Sequence, residues 1–192
     1  MQEGMREFTY KMQEEAAKMG LLMNTDKCKI MKIGEWKDTG RIIVGGDEVE
    51  TVDSFCYLGS TLTDDSSCDK EVRVHVGKAN AAFVRLQMIW KSNGCVNKTK
   101  IRLYEAVVLS SLLYGSETWP MTAVNGKQLD AAHNKWLRRI LHISWRDKIT
   151  NKVVWERMGQ EDMGNITRRR RLCSMGHVAR MEGESWAVQA MD

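Results

Sequence analysis

The sequence predicts an α+β fold in which a small antiparallel sheet is followed by a bundle of helices. Residues 28–59 hold short β-prone runs separated by glycines, including the pair Gly45-Gly46. From Ser67 onward the apolar residues recur every three or four positions, which is the period of amphipathic helices. The 192 residues are 43% apolar and 28% charged, as in folded globular proteins.

The first third of the chain predicts one helix and several strands. A helix is expected over residues 3–19, because apolar residues recur at helical spacing until Gly20. A strand is expected over residues 28–33, where apolar and lysine side chains alternate. The remaining β segments are a hairpin of residues 41–44 with 49–52, and a short strand at 54–59.

The rest of the chain predicts five helices. The first carries an apolar stripe from Val72 to Trp90 and ends near Asn93-Gly94. The second begins at Asn97 as N-cap and reaches Thr118, because Pro120 prevents its continuation. The third helix has Asn125 and Gln128 as a capping box, and it ends near Ile140. The fourth is expected over residues 150–158 and the fifth over residues 166–181.

Charge is distributed unevenly along the chain. Residues 1–66 carry a net charge of −5, residues 67–126 carry +4 and residues 127–192 carry +5. An acidic front and a basic rear indicate that the rear faces a polyanion, although solvated helix faces are an equal alternative. The change of period at Ser67 separates residues 1–66 from the helical remainder of the chain.

Two groups of basic residues are candidates for nucleic-acid contacts. Lys135, Arg138 and Arg139 surround Trp136 on the third predicted helix, and the run Arg168, Arg169, Arg170 and Arg171 lies on the fifth. Arginine binds phosphate through paired donors, and tryptophan can stack on bases. The alternatives are core packing for the tryptophan, internal pairing for one or more arginines, and a nuclear-import signal.

No motif predicts an enzyme active site, a metal site or a membrane span. The five cysteines are scattered, and Cys173 with His177 lacks two further zinc ligands. Asp64-Asp65 is typical of a turn before a helix. No apolar run approaches about 20 residues, and the N terminus lacks a signal peptide, so we expect an intracellular protein, nuclear or cytoplasmic.

Five segments in this order resemble the late part of reverse transcriptases from non-LTR (LINE-type) retrotransposons. They are GLLMNTDKCKIM at residues 20–31, VDSFCYLGS at 52–60, LYEA with LYGSETW at 103–119, WLRRIL at 136–141 and GHVAR at 176–180. The resemblance implies three domains: the end of the palm over residues 1–66, a helical thumb over residues 67–143 and a basic C-terminal extension over residues 144–192. It also implies an RNA template or an RNA–DNA duplex as partner, in line with the basic rear.

The resemblance assigns roles to five residues. Lys27 matches the lysine of motif D, which assists protonation of the leaving pyrophosphate in that family. Phe55, Tyr57, Leu58 and Gly59 match the primer grip, which holds the primer end. Cys28 departs from the family, which usually has threonine at that position.

The polymerase centre of that family is missing from the sequence. Its motif A aspartate and Tyr-x-Asp-Asp turn hold two metal ions, but no Tyr-x-Asp-Asp occurs here. We expect the chain to begin just after that turn, with the fingers and the rest of the palm belonging to a parent polymerase. We expect Mg²⁺ only for the intact parent, and no cofactor in this chain.

Two functions therefore follow from the sequence. The first is a fragment of an RNA-directed DNA polymerase that has no polymerase activity alone. The second is a transposon-derived protein that binds RNA or DNA through its basic helices without catalysis. A helical scaffold for protein partners is a third, weaker alternative.

Overall fold

The structure, a computed structural model, describes residues 2–32, 42–44, 46–57, 59–64 and 67–181. It confirms the α+β class, with β-strands in the first third and helices after them. The pattern of residue contacts divides the chain into two compact units, Met1–Ser67 and Cys68–Asp192. The finer division into domains 1–66, 67–143 and 144–192 stays a prediction.

The first unit contains helix α1 and six short strands. Helix α1, Gln2–Lys18, ends before Gly20, whose φ of +72° suits a residue without Cβ. Its apolar stripe is largely solvent-exposed, and Phe8 is 64% accessible. The strands are β1 (Lys29–Ile30), β2 (Ile43–Val44), β3 (Asp47–Glu48), β4 (Glu50–Thr51), β5 (Ser54–Tyr57) and β6 (Ser60–Thr63).

These strands form three separate pairs among the described residues. β2–β3 and β5–β6 are antiparallel hairpins, whereas β1 pairs with β4 in parallel. The strand predicted over residues 28–33 is confined to β1, and residues 33–41 lie outside the described part of the chain. A glycine-turn hairpin is present as β2–β3, with Gly46 at φ +97°, but its second strand is Asp47–Glu48. Of the predicted partner 49–52, Glu50–Thr51 pairs with β1 instead. A small core of Ile42, Val44 and Val49 supports this unit.

The second unit is a helical bundle with one continuous core. Its helices are α2 (Asp69–Arg85), α3 (Gln87–Lys91), α4 (Asn97–Leu103), α5 (Ser110–Leu112), α6 (Ala123–Ile140), α7 (Asn151–Met158) and α8 (Met163–Val178). A π-helical segment, Tyr104–Leu109, joins α4 to α5. Helix α6 contacts α2, α3, α7 and α8, so it is the central helix of the bundle.

Two of the predicted helices differ in outline from the structure. The first is divided into α2 and α3 at Leu86, where the Trp90 indole N–H donates to the Phe83 carbonyl at 2.7 Å. The second begins at Asn97 as its first residue, since Val96 is the cap, and it ends at Leu112 rather than Thr118. A turn with Gly115 at φ +71° follows, so Pro120 is not what ends the helix.

The caps of two later helices also differ from the predictions. Thr122, not Asn125, caps α6: its hydroxyl accepts the Asn125 backbone N–H at 3.2 Å. The Asn125 side chain is buried and donates to Cys68 Sγ at 3.1 Å, which ties α6 to the start of α2. Helix α8 starts at Met163, three residues before the predicted start, because the Asp162 carboxylate caps it.

A buried hydrogen bond joins the π-helical segment to α6. The Tyr104 hydroxyl lies 2.7 Å from His133 Nδ1, and both side chains are fully buried. Burial lowers the pKa of His133 from its usual 6.5 to about 4, with only partial opposition from the Glu161 backbone and the Asp162 carboxylate. Burial also raises the pKa of Tyr104. His133 is therefore neutral in the folded protein at physiological pH.

We expect this histidine to make the protein acid-sensitive. Because its pKa is lower folded than unfolded, the unfolded chain takes up the proton first, and stability falls as pH decreases from 6.5 towards 4. The loss should reach about 3 kcal/mol. Urea titrations across this range should show it for wild type and for the control His177→Gln, which alters an exposed histidine. An undiminished pH slope in His133→Gln would contradict the assignment.

We expect amide exchange to be slower in residues 97–112 than in residues 20–32. The former carry Tyr104, Val108 and Leu112, which are fully buried, whereas residues 20–32 contain no fully buried side chain. Hydrogen–deuterium exchange by mass spectrometry measures both segments in one experiment. Equal or reversed protection would show that the helical core is not the more stable part.

Candidate nucleic-acid interface

Lys27 is an exposed residue at the end of a 3₁₀ turn, Thr25–Lys27. Asn24 caps this turn, accepting the Lys27 backbone N–H on its side-chain oxygen at 3.1 Å. Cys28 follows in extended conformation and leads into β1. The turn therefore fixes the backbone of Lys27 and leaves its ammonium group in solvent.

The described residues of the predicted primer grip lie on the β5–β6 hairpin. Phe55 is half-buried opposite Leu62, and Tyr57 is 59% exposed opposite Ser60. Gly59 forms the turn with a φ of +87°, which a residue with a side chain rarely adopts. Leu58 lies outside the described residues. The hairpin thus presents one aromatic side chain to solvent beside a glycine turn.

The three predicted basic residues of α6 have different surroundings. Arg138 donates to the Ile149 carbonyl at 2.7 Å and to Asn151 Oδ1 at 2.8 Å, so it holds the chain that leads into α7. The Arg139 guanidinium lies 5.9 Å from the centroid of the Phe83 ring, and the side chain is exposed. Lys135 is exposed beside the shallow groove between α2 and α6. Two of the three are available to a ligand.

The four consecutive arginines of α8 also divide into two pairs. Arg168 is exposed, and Arg169 forms a largely exposed ion pair with Glu161 at 2.8 Å. Arg170 and Arg171 are half-buried and point towards the segment that follows α5. Consecutive residues in a helix are about 100° apart, so four in a row necessarily face both solvent and protein.

Arg170 and Arg171 clasp α8 to residues 113–119. Arg170 Nε donates to Glu117 Oε1 at 2.9 Å, and Arg171 donates to the Trp119 carbonyl oxygen. Partial burial would raise the pKa of Glu117, but a backbone hydrogen bond together with the hydrogen bond and charge of Arg170 holds it below the usual value. These two arginines are structural, and we refer to their contacts as the α8 clasp.

The tryptophan predicted among the basic residues is a core residue. Trp136 is buried, its ring contacts Phe83 and Tyr104, and its indole N–H reaches Asn80 Oδ1 at 3.4 Å. Among the described residues, the tryptophan most exposed to solvent is Trp145, which the sequence interpretation did not single out. Its position just past the end of α6, next to Arg146, was the available signal.

Two further properties concern the described residues alone. They contain no group of three or more His, Cys, Asp or Glu side chains arranged to hold a metal ion. None of their helices has the length and hydropathy needed to cross a bilayer.

The sequence is 25% identical over 191 residues to an uncharacterized transposon-derived protein of Caenorhabditis elegans. The alignment covers 91% of this chain and 65% of that protein, so the chain spans less than two thirds of its relative. No family model matches the sequence, and no solved structure matches it. The similarity supports a transposon origin for the chain.

We expect the α8 clasp to contribute to stability and the exposed arginines not to. Arg170→Gln should lower the free energy of unfolding by about 1 kcal/mol, because it removes an ionic hydrogen bond to a half-buried carboxylate. Arg168→Gln, the matched control on the same helix, should change it by less than about 0.5 kcal/mol. Chemical denaturation measures both.

A double-mutant cycle with Glu117→Gln gives the coupling between the two clasp residues. Additive effects of Arg170→Gln and Glu117→Gln would mean that the pair contributes nothing beyond its separate parts.

Proposed function

We propose that the chain is the part of a LINE-type reverse transcriptase that follows the catalytic aspartates, and that its own activity is binding to RNA or RNA–DNA duplex. The observation that carries this proposal is the set of exposed basic side chains on the helical unit that the fold does not use. Of the basic residues predicted from the sequence, this set includes Lys135, Arg139 and Arg168. The similarity to a transposon-derived protein supports the same origin.

The residues of the first unit have roles in this proposal through the family resemblance. Lys27 would serve as the motif D lysine, and Phe55, Tyr57, Leu58 and Gly59 would form the primer grip. The exposed Tyr57 ring beside the Gly59 turn supports a contact with a nucleic-acid strand. The palm and fingers of the parent polymerase would be the structural partners of this unit.

Catalysis is assigned to the parent polymerase and not to this chain. The sequence contains no Tyr-x-Asp-Asp, so the carboxylates that would hold Mg²⁺ are expected elsewhere in the parent. The purified chain should extend no primer on an RNA template in the presence of Mg²⁺ and deoxynucleotides. Metal-dependent extension would refute this part of the proposal.

Binding is tested by neutralising exposed cations while leaving the α8 clasp intact. The triple variant Lys135→Gln, Arg139→Gln and Arg168→Gln should weaken binding to an RNA–DNA duplex at least tenfold. The slope of log K against log salt should become shallower by about 2 to 3, because each lost phosphate contact removes roughly 0.7 to 0.9. Fluorescence anisotropy at several salt concentrations gives both quantities.

The matched control removes the same charge from the first unit. Arg6→Gln, Lys11→Gln and Lys18→Gln alter three cations of α1, which belongs to the acidic part of the chain. We expect this control to bind nearly as well as wild type. Equal weakening by both triple variants would show that net charge, and not this surface, governs binding. A stable oligomer without polyanion affinity would favour the helical scaffold instead.

A further inference from the structure

Trp145 is the most exposed tryptophan among the described residues. It is 83% accessible, whereas Trp90, Trp119 and Trp136 are buried in the core. It lies in the 3₁₀ turn Trp145–Asp147, and the Arg146 guanidinium is 5.5 Å from its ring centroid. Exposing this large apolar ring yields no packing energy within the chain. Its ring is therefore accessible to a ligand.

The backbone around Trp145 is held in a defined conformation. His142 ends α6 at φ +55°, with the Ile143 N–H bonded to the Arg138 carbonyl at 2.9 Å, a position where glycine is the usual residue. Lys148 is also left-handed, at φ +50°. Such conformations are costly for residues with side chains, and they occur preferentially at functional sites. We call residues 142–148 the Trp145 turn.

A capping box fixes the turn from within. The Ser144 hydroxyl accepts the Arg146 backbone N–H, and the Asp147 carboxylate accepts the Ser144 backbone N–H at 2.6 Å. Asp147 is the sole acidic residue between positions 135 and 152, so the one negative charge of this stretch is already engaged by the backbone. The ring is thus presented by a preorganised turn and not by a loose loop.

Apart from Asp147, the charged residues in the sequence around Trp145 are all basic. Residues 135–152 contain six lysines and arginines, and of these Arg138 is engaged with Ile149 and Asn151. The other five have exposed side chains, and none forms an ion pair within the described part of the chain; they are Lys135, Arg139, Arg146, Lys148 and Lys152. A flat ring among unpaired cations is complementary to a base and the phosphates on either side of it.

We propose that the Trp145 turn is a stacking site for an unpaired base of a single-stranded RNA or DNA segment. This inference rests on the proposed nucleic-acid binding and specifies where an unpaired nucleotide is held. Trp145 supplies the ring for stacking, and Arg146 covers that ring and contacts the adjacent phosphate. Arg139 and Lys148 attract the neighbouring phosphates. A duplex has no exposed base face along its length, so its binding free energy contains only the electrostatic contribution of the cations.

A protein partner fits these observations less well. The centre of a protein interface is depleted in charged residues, especially lysine, because burying unpaired ammonium groups is costly. Here Arg146 lies over the exposed ring, and the surrounding sequence adds further unpaired cations. A polyanion neutralises them without leaving a charge buried and unpaired.

The test compares strands with and without bases. Anisotropy titrations use a labelled 12-nucleotide oligouridylate and a 12-unit abasic strand with the same number of phosphates. Trp145→Ala should weaken binding to oligouridylate by roughly 5- to 100-fold and binding to the abasic strand by less than about twofold. Trp145→Phe should restore most of the loss, because phenylalanine keeps a ring for stacking. Tyr10→Ala, which removes another exposed aromatic residue (69% accessible), should match wild type.

The outcomes separate the two proposals. If wild type binds neither strand at low salt, the stacking site is refuted, and the titrations with the RNA–DNA duplex decide the proposed function separately. If wild type binds both strands and Trp145→Ala weakens them equally or not at all, the stacking site is refuted and the proposed function stands. Loss of self-association in Trp145→Ala by sedimentation, with strand binding unchanged, would assign Trp145 to a protein contact and refute the stacking site. Thermal unfolding confirms that each variant is folded.

Discussion

The helical unit depends on an aromatic cluster that fixes α6 against its neighbours. Phe83 lies 5.2 Å from Trp90 and 6.0 Å from Trp136 between ring centroids, and Tyr104 lies 6.4 Å from Trp136. Rings of this size bury a large apolar area and constrain the orientation of each helix. Trp136, which the sequence places among basic residues, belongs to this cluster and is therefore buried. The cluster also determines which side chains of α6 are left at the surface.

The distribution of the arginines follows from this packing. With α8 docked on α6, one side of its arginine run meets residues 113–119 and the other faces solvent. Arg170 and Arg171 therefore hold the bundle together. Arg138 of α6 has a similar role, because it binds the segment that leads into α7. The basic composition of the rear therefore overstates the cationic surface that is open to a ligand. The exposed remainder is smaller, and part of it is concentrated around Trp145.

Among the described residues, the first unit buries far fewer side chains than the helical unit. In the part of the first unit that the structure describes, the core consists of three buried residues with a few partly buried neighbours, and Phe8 of α1 is exposed. An apolar face that these residues leave exposed is what the resemblance leads one to expect if this unit normally packs against the rest of a polymerase palm. Strands β1, β2, β4 and β5 lie within predicted β segments because their β-prone runs are local signals, whereas β3 and β6 lie outside those segments. The parallel pairing of β1 with β4 depends on contacts between segments distant in the sequence, which no local pattern encodes.

The sequence by itself determined the fold class, the order of the helices and the division between an acidic front and a basic rear. These are properties of composition and periodicity, and they are local. Only the tertiary structure decided that Trp136 is buried while Trp145 is exposed, and that Arg170 pairs with Glu117, 53 residues away. It also decided that Thr122 and not Asn125 caps α6. The physical reason is that burial and pairing depend on which residues the fold brings together, and identical side chains in one run meet opposite surroundings.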